Sequence, residues 1–164
     1  MKWSLSEFLL LLEIRSQCWC FVDLGMDAGF NIPHNDTIMF YGLIEGEATI
    51  TGIPGGAITL KPGDIAMIPG GDAHAIRTHH QSKVEVFDFL CTNEYIDTPP
   101  SFRIGTAQLG ARLLCSRMKV RWPAGQRPEA LPPLLRIAAA NAIVSVDVLE
   151  RLAIERAGGG KDPR

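Results

Sequence analysis

Gly63-Asp64-Ile65-Ala66-Met67-Ile68-Pro69-Gly70-Gly71-Asp72-Ala73-His74 is the stretch that decides the fold. Its form is G-x5-P-x-G-x2-H. Just before it, Lys61-Pro62-Gly63-Asp64 sets Pro and Gly at the two central positions of a type II turn, where Gly supplies the positive φ. Ile65, Met67 and Ile68 then make a short apolar strand, Pro69-Gly70-Gly71 bends it, and His74 opens the next strand, Ala73 to Thr78. A turn, a strand, a bend and a His in this order aim one imidazole into the mouth of a small β-barrel.

Working outward, the same punctuation recurs. Strands are expected at Trp19–Leu24, Thr37–Ile44, Glu47–Thr51, Ala57–Leu60, Ile65–Ile68, Ala73–Thr78, Val84–Leu90 and Leu113–Arg121. They are separated by Glu45-Gly46, Ile53-Pro54-Gly55-Gly56, Pro62-Gly63 and Pro69-Gly70-Gly71. Such spacing, about 8–12 residues per strand, indicates a barrel or sandwich. Asp97 to Ser101, with Pro99-Pro100, reads as a loop across one end.

Helices are expected at the two flanks. Ser4 and Glu7 form an S-x-x-E capping box, with Leu5, Phe8, Leu9 and Leu12 on one face of a Ser4–Glu13 helix. From Pro128 the texture changes: Ala130 to Val148 is apolar with a Pro132-Pro133 break, and Asp147 to Ala157 reads as a second capped helix with Leu149, Leu152 and Ala153 as its stripe. The expected division is a barrel with leading helix over 1–126, a C-terminal extension over 127–157, and a disordered tail over 158–164.

Composition excludes several classes. The 164 residues fit one domain, with 46% hydrophobic and 21% charged residues and a formal net charge of −2, so the whole chain is no polyanion binder. Phe8 to Leu12 is too short to span a bilayer, and Glu7 and Glu13 bracket it, which spoils a signal peptide; a cytoplasmic protein with no membrane partner is expected. Cys18, Cys20, Cys91 and Cys115 fit no zinc spacing and read as buried small apolar side chains, Cys18 and Cys20 facing the same way as Val22 and Leu24. Arg117, Lys119 and Arg121 alternate with Met118, Val120 and Trp122, and read as the solvated face of an edge strand.

The Gly63–His74 spacing is similar to the second motif of the cupin superfamily. The first cupin motif, G-x5-H-x-H-x3-4-E-x6-G, supplies the other metal ligands. With Gly46 as its closing glycine, the glutamate position holds Met39, and with the four-residue spacing the two histidine positions hold Ile32 and His34. His34 and His74 remain, one imidazole short of the three protein ligands of a catalytic zinc or iron site. No catalytic metal and no cofactor are therefore expected; any metal would fall on His34 and His74. His74 either hydrogen-bonds backbone at the bend or acts as a polar group in a ligand cavity. Trp19, Tyr41 and Met39 have the character of cavity lining, though each suits ordinary core. His79 and His80 read as solvated.

The order of segments resembles a narrower group. Leu43-Ile44-Glu45-Gly46-Glu47, Leu60 through His74, Leu113-Leu114-Cys115-Ser116-Arg117 and Ala130-Leu131-Pro132-Pro133-Leu134-Leu135 follow one another as in the cupin-type ligand-binding domain of AraC-family transcriptional regulators. The resemblance covers about Leu5 to Ala157. It implies an all-β fold with flanking helices: a cupin double-stranded β-helix (jelly-roll) barrel plus an N-terminal helix and a C-terminal helical extension. It also implies a non-enzymatic sensory domain that takes a small-molecule effector, with ligand-binding residues His74, His34, Tyr41, Met39 and Trp19, and a homodimer joined around Leu149, Leu152 and Ile154. The helix-turn-helix pair that reads DNA in such regulators has no room after Gly160, so no direct nucleic-acid binding is expected. The alternatives are a small stand-alone metal-dependent cupin enzyme (a dioxygenase, isomerase or decarboxylase) and a dimerising barrel without a small ligand.

Overall fold

The computed structural model describes residues 13–79, 82–87, 99–122 and 131–138. Within them the chain is all β. Eleven strands form two sheets. The first contains β1 (Glu13–Gly25), β3 (Ile38–Gly46), β6 (Ile65–Ile68), β9 (Ser101–Ile104), β10 (Leu109–Arg121) and β11 (Leu135–Ile137), in the order β11-β6-β3-β10-β1-β9. The second contains β2 (Ala28–Ile32), β4 (Ala48–Thr51), β5 (Ile58–Leu60), β7 (His74–Arg77) and β8 (Lys83–Val86), in the order β5-β4-β7-β2-β8.

Side-chain alternation divides the core in two. Cys20, Val22 and Leu24 of β1, Met39, Tyr41 and Leu43 of β3, Ala66 and Ile68 of β6, and Leu113 and Cys115 of β10 face the second sheet. There they meet Ala28, Phe30, Ile32, Ala48, Ile50, Leu60 and Ile76. The opposite face of the first sheet carries a separate apolar cluster of Ile38, Phe40, Ile44, Ile65, Met67, Leu114, Met118 and Leu131. Burial on both faces explains why β6 is an unbroken apolar run instead of an alternating one.

The turn before β6 forms as the sequence predicts. Gly63 has φ 89°, and the Asp64 amide donates to the Lys61 carbonyl at 2.8 Å. The Asp64 carboxylate accepts from the Lys61 amide at 2.9 Å and from Arg136 Nη2 at 3.2 Å, and Arg136 also donates to the Thr59 carbonyl. Asp64 is buried, so these bonds replace the water its carboxylate gives up. Through them β11, an edge strand paired to β6, is clamped onto the turn.

Four expectations need correction. Glu13 does not close a helix: it is the first residue of β1, opposite Arg121. The rest of the Ser4–Glu13 helix, the Asp147–Ala157 helix, the tail, Cys91 and His80 lie outside the described residues. The strand ending at Arg121 is not an edge. It is β10, central between β3 and β1, and it starts at Leu109. Beyond Met118 only β1 still pairs with it, which leaves Lys119 and Arg121 exposed while Arg117 is half-buried. Ser101 opens β9, which pairs in parallel with β1, instead of ending a loop. Finally β2, β9 and β11 are strands the spacing does not reveal; β2 follows β1 after a short link, β9 precedes β10 by a short link, and β11 sits in a proline-broken segment. No described helix is long and apolar enough to cross a membrane.

Candidate functional site

The bend after β6 fixes His74. Gly71 has φ 64°, and a Cβ there would lie 1.9 Å from the Asn35 carbonyl oxygen, so only glycine lets the 33–36 loop approach. The Asn35 amide donates to the Gly71 carbonyl at 3.0 Å, tying that loop to the bend. His74 then opens β7 with its ring inside the barrel, 4% exposed.

Both ring nitrogens are engaged. Nδ1 lies 2.7 Å from the Asp72 carbonyl oxygen, and Nε2 lies 2.6 Å from the Tyr41 hydroxyl. A carbonyl only accepts, so Nδ1 carries the hydrogen and Nε2 offers its lone pair, which makes Tyr41 the donor. The assignment follows from this network. Tyr41 belongs to β3 and His74 to β7, so the bond joins the two sheets through the interior. The rings meet edge-on, with centroids 5.4 Å apart.

The surroundings favour neutral forms of both groups. Burial pushes the His74 imidazole below its ordinary value, against smaller opposing effects of the Asp72 carbonyl and the Asp72 charge. Burial pushes the Tyr41 phenol well above its ordinary range; Cys115 and Cys20 add to this and Arg117 opposes it. A phenol that stays protonated beside an imidazole that stays neutral is a stable donor–acceptor pair.

The sequence-derived candidates separate. His74, Tyr41 and Met39 come together inside the barrel, Met39 with its sulfur 3.8 Å from the Thr37 hydroxyl. His34 is exposed in the loop between β2 and β3. Trp19 is on the other face of its sheet, packed edge-on against Phe40 at 5.4 Å, so it does not line the interior. The reason is parity: Cys18 and Cys20 point inward, which sends Trp19 outward. Sequence reasoning missed that Tyr41 and His74 form a pair. Alternation places Tyr41 inward, but the pairing depends on how the two sheets face each other.

A cupin metal needs converging ligands with free lone pairs. Here Nε2 accepts from Tyr41, Nδ1 donates to Asp72, Ile32 and Met39 fill two ligand positions, and His34 is in solvent. Among the described residues no three His, Cys, Asp or Glu side chains converge. These residues do not fit the metal that the barrel holds in cupin enzymes.

No curated protein matches the chain. The family model for cupins, however, matches residues 4–160, nearly the whole sequence, and the two-sheet barrel with His74 turned inward at the second motif agrees with it. The chain belongs to the cupin family.

Proposed function

We propose that this cupin is an effector-binding domain of the kind found in AraC-type transcriptional regulators, without catalytic chemistry of its own. The observation that supports this reading is the engagement of His74. An imidazole whose two nitrogens are held by Tyr41 and the Asp72 carbonyl is a recognition group, with no lone pair left for a metal. A small effector bound in the interior would exchange hydrogen bonds with this pair. Because the Tyr41–His74 bond ties the two sheets together, its disturbance would shift their relative placement and reach the C-terminal extension through β11, clamped at Asp64 by Arg136. Coupling of this type is typically worth about 1–3 kcal/mol.

The test is a thermal-shift screen of small organic molecules against the wild type, His74→Ala and Tyr41→Phe. A ligand present at 100 times its Kd adds about 2.7 kcal/mol of stability. The reading requires compounds that stabilise the wild type and lose that effect in both variants. It fails in favour of a metal-dependent enzyme if the protein retains stoichiometric iron, manganese or zinc through chelator dialysis and turns over a substrate.

The same reading holds the domain to be a cytoplasmic homodimer joined around Leu149, Leu152 and Ile154. Sedimentation of the wild type against Leu149→Glu/Leu152→Glu checks this. A dimer is expected for the wild type at about 10 μM, a Kd on that scale corresponding to a binding free energy of about −7 kcal/mol, and a monomer for the variant. A wild-type monomer at that concentration sinks the idea.

A further inference from the structure

Cys20 of β1 and Cys115 of β10 are register partners on the inner face of the first sheet, and Tyr41 of β3 is the next residue in that row. Both cysteines are fully buried and both are free thiols. Both side chains belong to the inner core cluster, on directly opposed positions of the ladder. The neighbouring inner row is Cys18, Arg117 and Met39. Two directly opposed, buried thiols are not used by the Tyr41–His74 pair. Directly opposed residues of antiparallel strands have Cα atoms about 4.5–5.5 Å apart, so a small rotation of each side chain sets the sulfurs on either side of one atom.

We propose that Cys20 and Cys115 form a two-coordinate thiolate site for a soft monovalent metal ion, cuprous or silver. Ligand count selects the ion. Zinc and the divalent first-row metals take four or more ligands, and among the described residues no third His, Cys, Asp or Glu joins the pair. Thiolates favour cuprous copper, and a closed-shell monovalent ion accepts two sulfurs in a line.

The binding step is a proton exchange without redox change. One M⁺ and two thiols give an M(SR)₂ anion and two protons, which pass to solvent. That anion carries a single negative charge. Arg117, two residues along the same face of β10, offsets it, and its field already reaches Tyr41, which shares the row of the two cysteines. Half-buried Cys18, on the same face of β1, is the more accessible thiol nearby. The site stands whether or not the effector-binding reading does.

The test is an anaerobic titration of the full chain with cuprous and silver ions against a bathocuproine-type chelator, with X-ray absorption on the copper-loaded protein. One equivalent bound by two sulfur neighbours is expected. Cys20→Ala and Cys115→Ala should each weaken retention at least about a hundred-fold, the upper end of what loss of a mere supporting residue costs. A Cys18→Ser/Cys91→Ser double variant should retain the ion, and zinc should not be held. Unchanged retention in a folded alanine variant overturns the site. So does loss in the double variant, a third sulfur or nitrogen neighbour, or failure of the wild type to hold one equivalent. If an alanine variant lacks β-sheet circular dichroism, the neighbour count in the Cys18→Ser/Cys91→Ser protein decides: two sulfurs support the site and any other count overturns it.

Discussion

Ile32 of β2 stands directly opposite His74 of β7 in the antiparallel ladder. The residue in register with the interior imidazole of His74 is therefore a branched hydrocarbon. It excludes water from the ring and offers no lone pair. Tyr41, approaching from the opposite sheet, takes the Nε2 position that a metal would otherwise occupy.

The first prediction follows from that geometry. After dialysis against a chelator, the wild type should retain iron, manganese and zinc at less than about a tenth of an equivalent, as expected where fewer than three ligands converge. Elemental analysis of the purified protein measures it. Stoichiometric iron, lost on His74→Ala and His34→Ala, would return the enzyme reading.

His74 should also set an acid limit to stability. Its folded value lies below the unfolded value of about 6.5, because burial disfavours the imidazolium. The unfolded chain therefore binds more protons between the two values. The contribution is fully present above about pH 6.5 and is lost as pH falls toward the lowered folded value, by at most about 1.4 kcal/mol per pH unit. His74→Gln keeps a donor and an acceptor without titrating, so denaturant melts from pH 8 to 5 should be flatter for that variant. Equal slopes would show that other groups govern acid sensitivity. Tyr41→Phe leaves Nε2 buried without its donor and should cost about 1–3 kcal/mol at neutral pH.

Much of the barrel was legible because its signals are local. Pro62-Gly63 and Pro69-Gly70-Gly71 mark turns that need particular backbone angles, and Ile65–Ile68 lies where the sequence puts it. The parity of Cys18 and Cys20 with Val22 and Leu24 also reads correctly. What was not legible is non-local. That the strand from Leu109 is central depends on β3 and β1 flanking it, which no spacing records. Trp19 has the same apolar character on either face, so only the alternation of its neighbours assigns it outward. His34 sits two residues from a buried position, yet Pro33 breaks the strand pattern and the loop carries it into solvent. The Tyr41–His74 pair links residues 33 apart in sequence across two sheets.

Ser116 offers a test of packing on the outer face. It lies in register between Trp19 and Phe40, is 0% exposed, and among the described residues its hydroxyl has no hydrogen-bond partner. Burying an unpaired hydroxyl costs about 1–3 kcal/mol. Ser116→Ala removes that hydroxyl with almost no change of shape. It should leave stability unchanged or raise it by about 1 kcal/mol in urea denaturation. A loss of 1 kcal/mol or more would mean that the hydroxyl has a partner, bound water included.

The last prediction concerns DNA. The formal net charge of −2 gives no long-range attraction to a polyanion. Of the alternating cations on β10, Arg117 is half-buried on the inward face and Lys119 and Arg121 are exposed where β1 and β10 extend past β3. Two phosphate contacts give a salt slope of only about −1.8 in log–log form, within the weak non-specific range. The chain alone should therefore give no sequence-dependent band shift on duplex DNA at about 0.15 M salt, where screening reduces surface attraction to about 8 Å. Lys119→Ala/Arg121→Ala should change nothing measurable under those conditions. A sequence-dependent shift that survives this salt and disappears in the double variant would show that the β1–β10 ribbon reads DNA, and would remove the reason for assigning that task to a separate module.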